Sequence, residues 1–332
     1  MARKVSISFN WQGPMDYDQA LHRVRVAEDA GVDTAWVAEA WGRDCFTLLA
    51  LMARETQHIQ LGTGIVNTYS RTPAALAQHF ATLDELSGGR MIIGLGTSGY
   101  RVIEHWHGIP FQPSLTRLRE YAEIIRIILS GEPLQYRGKV FNLQRGFRLR
   151  FQPVRSQIPI FIASLTPKSV AQTARLADGW MPVLIPLPQL QQEVRRFRQL
   201  VQEAGRDPQS VAVRSPGAVT VTHDVEKARQ DSKAHVAFYI TNMGDYYREQ
   251  LIRMGHEEAV TVVRHAWEEG GHAAGIAAVP DALVDSLFFA GPVEACVERL
   301  QAQAEAGIDL HTVNVAMEDP QEAAHSLAKL VG

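Results

Sequence analysis

The chain has 332 residues, 46% hydrophobic and 21% charged, with a formal net charge of −3 at pH 7. That balance suits a globular protein with a sizeable core and leaves no field to recruit nucleic acid. No stretch approaches about 18 uncharged apolar residues, and the hydrophobic run after the basic start is too short for a secretory signal. No membrane partner and a cytoplasmic location are therefore expected. The two cysteines, Cys45 and Cys296, form no metal-ligand spacing and fit a reducing compartment.

Short β-branched runs alternate with amphipathic segments along the chain. VSISF (5–9) reads as a strand, followed by a helix from Tyr17 to Ala30 with Leu21, Val24 and Ala27 on one face. TAWVAE (34–39) and CFTLLALMARETQ (45–57) form the next pair. IQLGTGIV (59–66) precedes a helix that Thr72 caps, with Pro73 at its first position, and that the glycines of LSGGR close. MIIGLG (91–96) is the fourth strand. IPIFIAS (158–164), WMPVLI (180–185), VAVRSPGAVTVT (211–222) and HTVNVA (311–316) are the fifth to eighth, and a helix from Pro320 to Leu330 follows.

Eight strands alternating with helices predict an α/β fold, a closed (β/α)8 TIM barrel with insertions after strands 4 and 7, over a doubly wound open sheet. No break in composition marks a second domain, so residues 1–332 read as one. The intervals 98–157 and 223–291 are too long for loops and are expected to form lids over the C-terminal strand ends, where barrel active sites lie.

MIIGLGTSGY (91–100) spells G-x-G-x-x-G through Gly94, Gly96 and Gly99, the fingerprint of a dinucleotide loop. The context contradicts the spelling. Earlier β–α units precede it, YRVIEHWHGIPF intervenes before any helix, and Glu120 and Glu123 fall inside a helix rather than at a strand end. The glycines are expected instead to keep the end of strand four slim, so that Thr97 and Ser98 border a flat ring.

Asn10 and Trp11 follow strand one; Glu39, Ala40 and Trp41 follow strand two; Gly64, Ile65 and Asn67 follow strand three. Thr97 and Ser98 follow strand four, Ala163, Ser164 and Thr166 strand five, and Met181 and Pro182 strand six. No Ser-His-Asp or Cys-His ordering and no paired carboxylates emerge. Such a rim suits a bound cofactor that carries the chemistry while the protein orients it. In IASLTPKS (162–169) a helix start and Lys168 can receive a phosphate, although a plain cap accounts for the same residues. Glu39 is open to roles as a base, a cofactor hydrogen-bond partner or a solvated acid. His105 and His107 have no third ligand, so no metal is expected. Asn10, Trp41, Trp106 and His107 are assigned to the substrate side.

DTAWVAEAWGRD (33–44), LGTGIVNTYSRTPAALAQHFATLDELSGGR (61–90), IIGLGTSG (92–99), EHWHGIPF (104–111), LREYAEIIRIILSGE (118–132) and TARLADGW (173–180) together resemble the bacterial luciferase-like superfamily. Within it they are most similar to the branch using the deazaflavin coenzyme F420, including methylenetetrahydromethanopterin reductase and F420-dependent glucose-6-phosphate dehydrogenase. The resemblance implies a (β/α)8 barrel with insertions and a non-prolyl cis peptide at Gly64–Ile65 behind the ring. It implies cofactor contacts from Glu39, Asn67, Thr97 and Ser98, with a phosphate near Ala163 and Ser164.

The activity implied is hydride transfer with a small organic substrate, in a homodimer or higher oligomer pairing through helices near strands two and three; Glu39 or His107 is this chain's candidate proton donor. An FMN-dependent two-component monooxygenase is the alternative within the fold, and a cofactor-free binding barrel the alternative of another class. The sugar-phosphate dehydrogenases carry Asp-His after strand two and a glutamate after the strand-four glycines. Glu39-Ala40 and Gly99 stand at those places here, so that acid/base pair does not transfer.

Overall fold

The computed structural model describes residues 2–10, 12–317 and 319–332. The β-branched runs form eight parallel barrel strands: β1 (Val5–Phe9), β2 (Thr34–Val37), β3 (Gln60–Thr63), β4 (Met91–Gly96), β5 (Ile160–Ala163), β6 (Gly179–Met181), β7 (Ala212–Val213) and β8 (His311–Val315). Each pairs with its predecessor in parallel from β1 to β7. β8 pairs with β1 through Val5↔His311, and a bridge from Arg214 to Leu310 closes the ring. Short strands at Val66–Asn67, Val219–Val221 and Phe289–Gly291 extend the sheet.

Around the barrel stand α1 (Tyr17–Asp29), α2 (Cys45–Glu55), α3 (Pro73–Leu86), α4 (Ser114–Leu129), α5 (Pro167–Leu176) and α6 (Leu187–Glu203). The second long interval holds α7 (Val225–Thr241), α8 (Asp245–Arg253), α9 (Glu257–Ala277) and α10 (Asp281–Leu287). α11 (Val293–Glu305) and α12 (Pro320–Val331) complete the wall. Thr72 caps α3 as its sequence predicts, its hydroxyl accepting from the Ala75 N–H at 3.2 Å.

Alternation along the strands separates two layers. Val5, Ile7, Ala35, Leu61, Ile93 and Ile160 pack with the helices, while Trp36, Ile92, Phe161, Met181 and Leu310 fill the barrel. The two large interior rings, Trp36 and Phe161, lie 5.5 Å apart. Glycines make room for them: a Cβ at Gly62 would stand 2.5 Å from the Trp36 ring, and one at Gly179 2.4 Å from Phe161.

Several boundaries differ from the sequence reading. The sixth strand ends at Met181, because Pro182 follows and Leu184 adopts a left-handed φ of 51°. The seventh run breaks between Val213 and Val219, around Pro216 and Gly217. The interval 98–157 is not a lid throughout: α4 packs against α3 and α5 as the fourth wall helix. Its remainder is a π-helical turn (Val102–Trp106) and a hairpin of Leu134–Arg137 and Asn142–Phe147. Glu120, buried in α4, anchors that hairpin by accepting from the N–H groups of Lys139, Val140 and Phe141 at 2.7–3.0 Å. The apolar run 45–53 is mostly spent on the core, with Leu51 left exposed.

Candidate active site

Above the C-terminal strand ends lies a cavity of about 400 Å³. Asn10, Glu39, Gly64, Ile65, Thr97, Ser98, Ala163 and Ser164 line it from the barrel. Its other wall comes from the second insertion: His235, Phe238 and Tyr239 of α7, Met243, and Tyr246 and Tyr247 of α8. The Gly64–Ile65 peptide is cis, and the Ile65 carbonyl accepts from the Glu39 N–H at 3.3 Å. Ser98, at φ 58°, holds one of the two left-handed non-glycine conformations among the described residues.

The three glycines of the dinucleotide spelling all meet protein. A Cβ at Gly94 would fall 1.7 Å from the Thr63 carbonyl oxygen, one at Gly96 3.0 Å from the Ile65 side chain, and one at Gly99 2.7 Å from the Met243 carbonyl oxygen. They serve strand packing, a thin cavity wall and lid seating, in that order. Contrary to the sequence expectation, a helical turn starts directly after them: the Gly99 carbonyl accepts from the N–H groups of Val102 and Ile103 at 3.1 and 3.2 Å, and the turn ends at Trp106.

Glu39, at the cavity edge with its side chain only 7% exposed, is committed. Arg71 donates to both carboxylate oxygens, at 2.6 and 3.1 Å, and the Cys45 N–H at the start of α2 donates to Oε2 at 3.0 Å. Asn67 is buried off the cavity wall; its Oδ1 accepts from the N–H groups of Tyr69 and Ser70 at 2.9 and 2.8 Å, and its Nδ2 has no partner among the described residues. His107 also lies off the wall, just past the π-helical turn, with its Nε2 buried and without a hydrogen-bond partner among the described residues. Burial lowers its pKa, and the nearby Glu39 charge opposes that shift. Trp41 is absent from the lining and packs its ring 6.1 Å from Phe238, outside the cavity. Trp106 is 64% exposed. The structure therefore does not bring Trp41, Trp106 and His107 onto the wall with Asn10. Trp11 lies outside the described residues. No group of three or more His, Cys, Asp or Glu that could hold a metal occurs among the described residues.

At the α5 start, Thr166 and Ser169 form a capping box, and Trp180 Nε1 donates to the Ser164 carbonyl at 3.0 Å. A second cavity of about 560 Å³ adjoins the first through Ser114, Leu115, Thr166 and Tyr246, and Lys168 and Arg253 line it. A third, of about 710 Å³, shares Ser8, Asn10, Val183 and His235 with the first.

His235 is the lining residue that sequence reasoning missed with most consequence. The residue is exposed at the cavity, and desolvation by the helix faces around its ring lowers the imidazole pKa to about 4, leaving it neutral near pH 7. Its ring lies 4.7 Å from Tyr239 and 5.5 Å from Phe288. Burial raises the Tyr239 and Tyr247 phenols, which stay protonated. The only sequence signal was the clustering of His235, Phe238 and Tyr239 with Tyr246 and Tyr247 on neighbouring helices.

A parallel eight-stranded barrel with a lidded cavity over its C-terminal strand ends defines a TIM-barrel protein built to hold a small molecule. The chain belongs to the luciferase-like monooxygenase family, which it matches over residues 5–310. A Mycobacterium tuberculosis protein named as a coenzyme F420-dependent oxidoreductase is 31% identical over 99% of each chain. The 5,10-methylenetetrahydromethanopterin reductase of Archaeoglobus fulgidus is 30% identical over 89% of this chain and 88% of its own. Among solved structures, the coenzyme F420-dependent tetrahydromethanopterin reductase of Methanopyrus kandleri superposes with a TM-score of 0.84 at 25% identity, covering 100% of this chain and 99% of that one.

Proposed function

We propose that this protein is a coenzyme F420-dependent oxidoreductase acting on a small organic substrate. The observation that carries the reading is the cavity itself: a thin floor at Gly64–Ile65 and Gly96 beneath an aromatic lid, opening toward Lys168 and Arg253. A flat ring fits such a slot, and an anionic tail fits the exit at Lys168 and the α5 start, where Arg253 is shared with Glu249 at 3.9 Å. The full-length relative named as F420-dependent supports the same cofactor. When bound, F420 supplies a hydride donor or acceptor at C5 of the deazaflavin.

The chain's own residues then bind, orient and exclude water. Gly64, Ile65, Thr97 and Ser98 border the ring; the Ala163–Ser164 backbone and the α5 start hold the phosphate. Asn67 and Glu39 shape the ring pocket from behind, Glu39 as a positioning residue fixed by Arg71 rather than a base. Asn10 faces substrate, and Trp41 and Trp106 flank the outer mouth. His235 exchanges the substrate's proton, a role that the sequence reading gave to Glu39 or His107. The reading includes one domain over residues 1–332, a cytoplasmic location and self-association, for which the exposed Leu51 of α2 and Leu86 of α3 give apolar contact. Among the described residues, no helix is long and apolar enough to cross a membrane.

The test is titration of the purified apo-protein with F420 and, separately, with FMN, followed by absorbance. Saturable F420 binding with weaker FMN binding is expected. Tight FMN binding without F420 binding would overturn the reading in favour of a monooxygenase, and binding of neither would favour a cofactor-free barrel.

A further inference from the structure

The third cavity, beside the ends of β1 and β8 and the break after β7, holds two cations with no carboxylate partner among the described residues. Arg214 turns into the barrel, its guanidinium 5.2 Å from the centre of the Trp36 ring. Its Nε donates to Thr312 Oγ1 at 2.9 Å and its Nη2 to Ser8 Oγ at 3.0 Å, both neutral hydroxyls. Nη1 has no hydrogen-bond partner among the described residues and lies 3.9 Å from where a Cβ would stand on Gly64, beside the floor of the ring cavity. Arg23 of α1 lines the same cavity, over the Phe9 ring at 4.9 Å and donating to Asn314 Oδ1 at 3.1 Å.

The acids facing this space are otherwise engaged. Asp231 pairs with Lys227 at 2.9 Å, and Asp224 caps α7 by accepting from the Lys227 N–H at 2.9 Å. Burial lowers both arginine pKa values, that of Arg214 to about 10, so both remain cations near neutral pH. A half-buried cation without countercharge carries a desolvation cost, and the guanidinium fork matches a carboxylate or phosphate.

We propose that Arg214 and Arg23 form a subsite for an anionic group, a carboxylate or a phosphate, carried by the organic substrate. The Ser8, Asn10 and His235 walls shared by the two cavities set that anion next to the ring slot, with the remainder of the substrate reaching over Gly64. The inference rests on the oxidoreductase reading for what occupies the slot, but not for the anion site itself.

The test is isothermal titration of the full chain with malonate and with inorganic phosphate at fixed ionic strength, with malonamide as the neutral control. Repeating it after F420 saturation separates the two readings. One-site binding of at least one anion is expected, with none of malonamide. Malonate alone would identify a carboxylate substrate and phosphate alone a phosphate monoester. Arg23→Gln and Arg214→Met should each weaken the affinity by roughly tenfold or more, the loss of one charge-assisted pair. Circular dichroism checks the fold, and Arg23→Gln decides the matter if Arg214→Met does not fold.

Three outcomes would overturn the proposal: no saturable binding, unchanged affinity in Arg23→Gln, or abolition of anion binding by F420, which would give the arginines to the cofactor. Failure of F420 to bind while the arginine-dependent anion site persists would count against the cofactor reading alone.

Discussion

Arg71 grips both oxygens of the Glu39 carboxylate, Nη1 to Oε1 at 2.6 Å and Nη2 to Oε2 at 3.1 Å. The guanidinium also rests 4.7 Å from the centre of the Phe46 ring, on the helix whose first N–H bonds Glu39. The strand-end acid, the loop arginine and the α2 start thus form one unit at the cavity edge. A carboxylate so engaged holds geometry rather than moving protons. Glu39→Gln should cost about 1–3 kcal/mol of stability, measured from the urea midpoint at unchanged m-value. The pH profile of kcat should keep its shape; loss of a limb would restore Glu39 as a base.

His311 sets an acid limit on stability. It is 2% exposed at the start of β8, with Nδ1 2.9 Å from Gln303 Oε1. Burial, and secondarily Arg3, push its pKa down to about 4. The unfolded chain binds this proton from about pH 6.5 downward, while the folded chain resists until about 4. The neutral imidazole's contribution is therefore complete above the unfolded pKa and is lost as pH falls through that window. Its size is on the order of 3 kcal/mol. Urea unfolding between about pH 4 and 7 should show this slope, and His311→Gln should flatten it. An identical slope in the variant would assign the acid sensitivity elsewhere.

The barrel was legible because its strands are short β-branched runs between recognisable helix starts, such as Thr72-Pro73. The meaning of Gly94, Gly96 and Gly99 was legible by exclusion, since earlier β–α units precede them and no acid ends the next strand; the helical turn that does start at Tyr100 was not foreseen. What they touch was not, because Met243 lies far along the chain. The positions of Trp41, Trp106 and His107 near strand ends did not fix their directions, and a π-helical turn carries Trp106 to the surface. Arg214 faces inward by simple alternation, with Ala212 packed in the barrel interior and Val213 against the helices, but the sequence did not mark which of the two faces was the interior. His235 was hidden for a similar reason: an amphipathic helix does not announce which face will close over a distant barrel.

His235 sits where both cavities meet, and desolvation keeps its imidazole unprotonated in the neutral range, a weak base facing the substrate. His235→Asn removes that function with little change in the volume of the wall. The expected result is a fall in kcat of about 10²-fold or more, with F420 affinity nearly unchanged. Wild-type activity should hold steady down to an acid limb near the imidazole's value of about 4. A variant that loses F420 affinity and kcat together would show a structural role instead.

Gly99 tests whether the lid is seated by backbone contact. A Cβ there would stand 2.7 Å from the Met243 carbonyl oxygen, at the turn between α7 and α8. Next to it, Arg101 Nη1 donates to the Thr241 carbonyl at 3.2 Å, and Gly244, at φ 95°, packs so closely that a Cβ would meet the Tyr100 ring at 2.9 Å. A backbone oxygen cannot swing aside as a side chain can, which is why a glutamate has no room at this position. Gly99→Ala must displace the α7–α8 turn, at a cost of about 1–3 kcal/mol of local overpacking. Because the contact joins lid to barrel, hydrogen exchange should quicken in α7 and α8 while β1 to β4 keep their protection. F420 binding should weaken in parallel, since Phe238, Tyr239 and Tyr246 move with that turn. Unchanged exchange in α7 and α8 would mean that the lid is held by its own apolar cluster of Val236, Ile240 and Leu251 rather than by Gly99.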